Sequence, residues 1–338
     1  MNMPVEVKET PEGKTGHLLK IEGLKKHYVL STNLMGKPVK SLKAVDEVTL
    51  TIREGETLGI VGESGCGKST LGNMITRLIE PTGGKVVFEN RDLLSMSEKE
   101  MRNVRKDIQM IFQDPFSSLN PRMRVFDIIA EPLRTHGVAT GESLKKRVEE
   151  LLEIVGLNRS QGKRFPHEFS GGQRQRIGIA RAIALHPKLV VCDEPVSALD
   201  VSIQAQILNL LIKLQKELNL TYIFIGHGIP AVKYISDRIA VMYMGEIVEM
   251  ASKENLFKAT KHPYTQGLID SVPIPDPLLR RDREELLIKG EVSGESDPGE
   301  GCRFYPRCPF GTEMCRIEKP SLREHAPDHF AACHYPLS

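Results

Sequence analysis

The residues Gly62-Glu63-Ser64-Gly65-Cys66-Gly67-Lys68-Ser69-Thr70 have the spacing G-x-x-x-x-G-K-[ST], the pattern of a loop that holds phosphate. Glycines let such a backbone curl until successive N–H groups point inward at anionic oxygens. Lys68 is placed to reach the β- and γ-phosphates of a nucleotide, and the Ser69 hydroxyl to ligand Mg²⁺. A helix that starts directly after the loop adds its positive N-terminal end. A second group with matching chemistry closes the apolar run Leu189-Val190-Val191-Cys192, namely the carboxylates Asp193 and Glu194. At the end of a strand beside a phosphate loop, Asp193 can hold Mg²⁺. Glu194, one residue nearer the γ-phosphate, can polarise an attacking water as general base.

These groups need elements to carry them. Thr57–Val61 reads as the strand entering the loop and Leu71–Ile75 as the first turns of the helix leaving it. His17–Leu30 and Val45–Ile52 read as strands, and Ser31–Lys43, with its Gly, Pro and lysines, as a loop between them. Pro81-Thr82-Gly83-Gly84 marks a turn before the strand Lys85–Glu89. From about Ser95 to Lys163 the pattern is mostly helical, with Ser143–Val155 amphipathic. Strands recur at Leu189–Cys192, Thr221–Ile225 and Arg238–Met244, so the expected core is α/β around a mainly parallel sheet.

Bulk properties narrow the classes. The 338 residues, 40% hydrophobic, suffice for one large α/β domain and a smaller appendage. Net charge is +2, which offers no electrostatic case for nucleic acid. Residues 1–16 read as a charged, disordered tail without the apolar stretch of a signal peptide. No apolar run approaches the roughly 20 residues that span a bilayer, so a soluble, cytosolic chain is expected.

Phe169-Ser170-Gly171-Gly172-Gln173-Arg174-Gln175-Arg176 resembles the signature motif of ATP-binding cassette (ABC) ATPases. The other motifs of that family follow in its order. Gln113 in Ile111-Phe112-Gln113-Asp114-Pro115 matches the glutamine loop, Ser197-Ala198-Leu199-Asp200 the D-loop and His227 the switch histidine. Tyr28 matches the aromatic that stacks on adenine. The resemblance covers about residues 18–260. It implies a P-loop NTPase fold of ABC type over 17–260, with a helical subdomain at about 113–172. It also implies that ATP and Mg²⁺ bind at residues 62–70, with Ser69, Gln113 and Asp193 on the cation and Glu194, Gln113 and His227 around the reacting water and γ-phosphate. Ser170, Gly171, Gly172, Gln173 and Asp200 would face nucleotide held by a second ATPase subunit, two chains sandwiching two ATP molecules. Cys66 reads as packing. The chain departs from the family at Gly228, where Asp is frequent, and at Gly226, where Ser or Thr is common. Two glycines there imply a freer backbone around the switch.

Cys302, Cys308, Cys315 and Cys333 have spacings C-x₅-C-x₆-C-x₁₇-C, without the short knuckle of common zinc sites. From Gly301 onward the only branched aliphatics are Ile317, Leu322 and Leu337, so the segment cannot fold on hydrophobic burial alone and needs a staple. Four thiolates suit Zn²⁺ or an iron–sulfur cluster, and His325, His329 or His334 could join a mixed zinc site. Residues 261–338 also resemble the small Cys-rich C-terminal extension of oligopeptide/dipeptide importer ATPases, a branch with a nickel-importing relative. His262-Pro263-Tyr264-Thr265, Val272-Pro273 and the stretch Gly301-Cys302-Arg303-Phe304 to Cys333-His334 carry that likeness. It implies a [4Fe–4S] cluster on the four cysteines, with Zn²⁺ the alternative and free thiols a third option.

The combined expectation is the ATP-hydrolysing subunit of a peptide importer at the cytoplasmic face of the cell membrane. Its partners would be a second ATPase, two integral-membrane permeases and, indirectly, a substrate-binding protein, with no nucleic acid. The short loop after Pro81 points to a heterodimer. The alternatives are import of nickel or another small solute, a nucleic-acid-linked ABC ATPase, and an ATP-binding regulator without catalysis.

Overall fold

Short runs rich in Val, Ile and Leu, apolar on both faces, demand a sheet covered on two sides. The computed structural model describes residues 16–33, 38–272 and 299–338 and builds that sheet. Two long strands come first, β1 (His17–Thr32) and β2 (Pro38–Arg53), then β3 (Thr57–Val61) and α1 (Lys68–Ile75). β4 (Gly83–Phe88), β5 (Arg91–Asp92), α2 (Glu98–Val104) and β6 (Ile108–Ile111) follow. A helical region comprises α3 (Val125–Thr135), α4 (Gly141–Ile154) and α5 (Gly171–Ile183). β7 (Leu189–Asp193), α6 (Val201–Leu218), β8 (Thr221–Ile225), α7 (Ile229–Ile235) and β9 (Arg238–Tyr243) complete the alternation. The chain continues through β10 (Glu246–Ser252), α8 (Lys253–Lys258), α9 (Pro263–Asp270), α10 (Glu313–Ile317), β11 (Arg323–Ala326) and β12 (His329–Ala331).

The strands form an antiparallel sheet ordered β2-β1-β4-β5 and a larger one ordered β11-β12-β10-β9-β3-β8-β7-β6. In the larger sheet β9, β3, β8, β7 and β6 run parallel. β10, β12 and β11 add antiparallel at one edge, so the sheet is mixed and the expected parallel order holds for its centre. Leu58, Ile60, Val191, Ile223 and Ile225 face a core shared with the antiparallel sheet and with Leu71, Met74 and Ile75 of α1. Val61, Val190, Cys192, Tyr222 and Phe224 face the opposite core, with Ile129, Leu151, Ile177 and Leu211 of the helices. Each such fully buried aliphatic contributes about 1.5–3 kcal/mol.

The structure departs from the sequence reading in four places. Ser31–Lys43, expected as a loop, is largely strand: pairs such as Val29 with Ser41 and Ser31 with Lys40 continue the β1–β2 ladder. Backbone pairing there tolerates exposed lysines, which no apolar alternation could flag. β6 interrupts the region expected to be helical; at four residues it is too short to show a period of its own. The helix that the sequence pattern places over Gln173–Ala184, directly after Ser170-Gly171-Gly172, begins two residues earlier, at Gly171, with Ser170 as its N-cap. The C-terminal segment also borrows the cassette's sheet and core. β12 pairs with β10, Glu249 opposite Ala331 and Met250 opposite Phe330. Phe304, 1% exposed, packs on Tyr243, Tyr264 and His262 at centroid distances of 5.4, 5.5 and 5.6 Å. The tail over 1–15 and Pro273 lie outside the described residues. No helix among the described residues is long and apolar enough to cross a membrane.

A buried carboxylate anchors this junction. Glu249 accepts the N–H groups of Lys261 at 2.7 Å and His262 at 2.9 Å, and lies 2.7 Å from His329 Nε2. His262 caps α9, its Nδ1 accepting the Tyr264 N–H at 3.1 Å. Burial pushes the His262 imidazole down to about 4, with the Glu249 carboxylate opposing. The unfolded chain therefore takes up this proton first. The stability His262 confers is present above about pH 6.5 and is lost as pH falls toward 4. His262→Asn keeps a capping oxygen and removes the titration. Between pH 7.5 and 5 the wild type should lose about 2 kcal/mol more stability than the variant. Denaturant unfolding at both pH values measures this; equal losses would refute it.

Candidate nucleotide site

Parallel strands place their C-terminal ends at one edge, where ligands of α/β sheets bind. Here the neighbours β3, β8, β7 and β6 end, in that spatial order, in the Gly62–Thr70 loop, His227, the Asp193–Glu194 pair and Gln113. Four separate stretches of sequence are thereby gathered at one edge.

The phosphate loop wraps its own lysine. Lys68, 4% exposed, donates from Nζ to the carbonyls of Gly62 at 2.8 Å and Glu63 at 2.9 Å. Gly67 is the N-cap of α1 at φ 104°; a Cβ there would sit 2.0 Å from the Ala44 carbonyl oxygen. A Cβ on Gly62 would lie 2.1 Å from the Met242 carbonyl oxygen. The loop is thus sandwiched between β2 and the end of β9, which only glycine permits. Cys66 Sγ is buried 3.8 Å from Lys68 Nζ, and burial raises its pKa, consistent with packing. Ser64, Gly65 and Thr70 complete the loop, with Ser64 and Gly65 exposed.

Ser69 Oγ donates to Asp193 Oδ1 at 2.9 Å. Burial pushes the Asp193 carboxyl above its ordinary value and the adjacent Glu194 adds to this, while Ser69 and Lys68 oppose. A hydroxyl and a carboxylate this close, with the Glu194 carboxylate adjacent, fit a hard divalent cation such as Mg²⁺. Glu194 has φ 43°, a left-handed conformation that costs a glutamate about 1 kcal/mol or more and that clusters at functional sites. Its N–H donates to Ile225 O at 3.0 Å, tying β7's end to β8. Gln113 Nε2 donates to Glu194 Oε2 at 2.9 Å, so these two are brought together across β6 and β7.

His227 is exposed just beyond β8. The freer backbone expected from its flanking glycines is corrected at Gly226. That residue is buried, and a Cβ there would lie 2.4 Å from Val232 Cγ2, so it is a packing glycine under α7. Gly228 meets only Pro230 Cδ at 4.0 Å and initiates α7. Tyr28, 37% exposed, pairs with Leu42 on the β1–β2 hairpin near Ala44. Ser170 and Gln173 form a capping box: Ser170 Oγ accepts Gln173 N–H at 3.4 Å and Gln173 Oε1 accepts Ser170 N–H at 3.1 Å. Gly171 and Gly172 open α5, where a Cβ on Gly172 would meet Ile203 Cγ2 at 2.4 Å. The signature residues sit in the layer of α3, α4 and α6, and Asp200 stands at the N-cap position of α6 without a side-chain capping bond.

The chain compares closely with known proteins. It is 50% identical to the oligopeptide transport ATP-binding protein AppF of Bacillus subtilis (strain 168), over 94% of this chain and 97% of that one. The ABC transporter family profile matches residues 45–197. The chain belongs to the ABC transporter family. A second profile, the oligopeptide/dipeptide transporter C-terminal region, matches residues 248–315. OppF of Salmonella typhimurium, also an oligopeptide transport ATP-binding protein, is 51% identical over 94% of this chain and 95% of its own length. Among solved structures, the dimeric post-hydrolysis state of the ATP-binding cassette MJ0796 bound to ADP and Pi superposes with TM-score 0.62. It is 32% identical and covers 70% of this chain and 98% of that one.

This ABC cassette has contacts at its site that no motif announces. Tyr264 Oη accepts the Glu63 N–H at 2.9 Å across 201 residues of chain. Arg307 grips the Glu63 carboxylate with both Nη atoms, at 2.8 and 2.9 Å, across 244 residues. The Arg174 guanidinium, on the signature helix, lies 3.9 Å from the Phe116 ring beyond the glutamine loop. Such pairs leave no signal in local spacing.

The four C-terminal cysteines are free and line one small recess, together with His262, Tyr305 and His334. They are not drawn into a ligand set: no group of three or more His, Cys, Asp or Glu among the described residues has metal-holding geometry. Burial raises Cys302 and Cys333 to about 11, and neighbouring cysteines add to it. His325 and His329 bond elsewhere, to Ala331 O at 3.3 Å and Glu249 at 2.7 Å, so they are not part of a mixed site.

Proposed function

We propose that this chain hydrolyses ATP to power uptake of oligopeptides, as one of two ATPase subunits on the cytoplasmic face of membrane permeases. The observation that carries the chemistry is the convergence of the phosphate loop, Asp193–Glu194, Gln113 and His227 on four neighbouring strand ends. The likeness to proteins named for oligopeptide transport carries the cargo.

In this reading, residues 62–70 cradle the phosphates and Lys68 leaves its loop carbonyls for the β- and γ-phosphates. Ser69, Asp193 and the Gln113 carbonyl hold Mg²⁺, which would neutralise phosphate charge when bound. Glu194 takes the proton of the attacking water, His227 senses the γ-phosphate, and Tyr28 stacks on adenine. Ser170–Gln173 and Asp200 close on nucleotide held by the partner ATPase, the helix N-terminus of α5 facing its γ-phosphate. The partner is a different chain, as the short loop after Pro81 favours. The cassette spans 17–260, with a helical subdomain at about 113–172 that contacts the permeases.

Cys302, Cys308, Cys315 and Cys333 would hold a metal centre, a [4Fe–4S] cluster in preference to Zn²⁺. What supports this reading is that all four line one recess, although no three of them stand in metal-holding geometry. A bound cation would deprotonate them.

Native mass spectrometry on the chain extracted anaerobically from its own cells tests both parts. A complex with two membrane subunits and a second ATPase, plus the mass of Fe₄S₄, is expected. A soluble homodimer on DNA would sink the transport reading, and zinc or no metal would sink the cluster.

A further inference from the structure

The phosphate-loop pattern leaves its second position open, so nothing in the motif asks for Glu63. In the fold that residue is the fixed end of the loop's crest. Gly62 and Gly67 are seated under the Met242 and Ala44 carbonyls, but the crest between them is not. Ser64 and Gly65 are exposed, and a Cβ on Gly65 would meet nothing within 4 Å. Glu63 is held from inside the loop and from outside it. Inside, its carbonyl accepts the Cys66 N–H at 3.3 Å and Lys68 Nζ at 2.9 Å. Outside, its N–H donates to Tyr264 Oη at 2.9 Å, and its carboxylate accepts from both Nη atoms of Arg307 at 2.8 and 2.9 Å.

The two outer groups stand on the core. Tyr264 lies on α9, and Arg307 ends a 3₁₀ turn, Tyr305–Arg307, with its N–H donating to Phe304 O at 3.0 Å. Phe304 and Tyr264 are fully buried and share one aromatic cluster with Tyr243, at centroid distances of 4.6, 5.4 and 5.5 Å. With side chains only 12% and 27% exposed, the Arg307–Glu63 pair is mostly withdrawn from water. A two-point guanidinium–carboxylate contact there fixes orientation as well as distance. No cysteine side chain takes part in these hydrogen bonds, so the clamp does not depend on what the recess holds.

We propose that Arg307 and Tyr264 are positioning residues of the nucleotide site. They clamp Glu63, so the crest of the loop is shaped for phosphate before ATP arrives. The C-terminal segment is thereby a part of the site, a statement that rests on the nucleotide-site reading above. Preorganisation lowers the ordering cost of binding, so the clamp acts on affinity. Bound ATP can still pull a loosened loop into place. KM therefore rises when the clamp is lost, while turnover at saturation, set by Glu194, Gln113 and His227, stays.

The test uses the full chain, with N-methylanthraniloyl-ATP as affinity probe and phosphate release as the rate. Arg307→Ala should weaken probe affinity and raise KM by about fivefold or more, with kcat within about twofold. Glu63→Ala should do the same, and the double variant should be no weaker than either single one, because both remove one contact. Arg307→Lys should recover part of the affinity, lacking the two-point grip. Tyr264→Phe keeps the buried ring and loses the acceptor for the Glu63 N–H. It should weaken affinity in the same way, and it carries the test if Arg307→Ala fails to fold. Lys319→Ala is the control. Its amine ties the same segment to Glu246 at 2.7 Å and to Glu47 at 3.8 Å, both outside the loop, and its loss should leave affinity unchanged. Wild-type affinity in Arg307→Ala or Tyr264→Phe, full additivity in the double variant, or an equal loss in Lys319→Ala overturns the proposal. Failure of the wild type to bind the probe overturns the nucleotide-site reading beneath it.

Discussion

Replacing Glu194 by Gln lowers ATP turnover by about 10²- to 10⁴-fold and leaves nucleotide affinity within about twofold. The substitution keeps size and shape, so the strained backbone at φ 43° and the N–H bond to Ile225 O are undisturbed. It removes only the ability to take a proton. The lysine, the Ser69–Asp193 pair and the loop are untouched, and in the proposed reading these hold the phosphates and the cation. The Gln113 amide, which donates to Glu194 Oε2, can still donate to the new amide oxygen. Phosphate release measured beside nucleotide titration decides the matter. Equal turnover in both proteins would remove Glu194 as the base, and a parallel loss of affinity would make its role one of binding.

Gly67→Ala lowers nucleotide affinity by more than about 100-fold, the order of loss that a displacement near 1 Å causes in a preorganised site. An added Cβ would sit 2.0 Å from the Ala44 carbonyl oxygen, with Met242 Cε at 2.9 Å. The obstacle is backbone of β2 at Ala44, flanked by Lys43 and Val45, which pair with His27 and Lys26 of β1. The loop must move instead, taking Lys68 and Ser69 with it. Gly65 is the control within the same loop. It has φ 78°, but a Cβ added there would meet nothing within 4 Å, so Gly65→Ala carries only the left-handed penalty of about 1–2 kcal/mol. Titration of both variants with a fluorescent nucleotide, beside circular dichroism to confirm folding, separates the cases. Wild-type affinity in Gly67→Ala would refute the loop's seating against β2.

Much of the nucleotide site was legible because its chemistry is local. A loop that folds around phosphate needs its glycines, lysine and hydroxyl within nine residues, and Asp193 and Glu194 need only a buried strand before them. Glycines were harder to interpret. Gly226 and Gly67 look alike in a sequence, yet one lies under Val232 of α7 and the other under a carbonyl of β2. A missing side chain reports that something is close without saying what. The C-terminal segment was misjudged in one respect for a related reason. Its own aliphatics are few, but it completes its core with Tyr243, Tyr264 and His262 and its sheet with β10, none of which lies within it.

By itself, then, the order of motifs determined the family, the parallel centre of the sheet and the groups proposed to meet phosphate, because each depends on residues a few positions apart. Only the tertiary structure decided that Arg307 grips Glu63, that Glu249 is buried between His262 and His329, and that four cysteines face one recess. Those contacts bridge up to 244 residues. They arise because β10 and β12 pair at the sheet's edge and carry the C-terminal segment back over the phosphate loop. Long-range strand pairing of that kind is selected by the burial of whole faces, and leaves no period in the sequence that carries it.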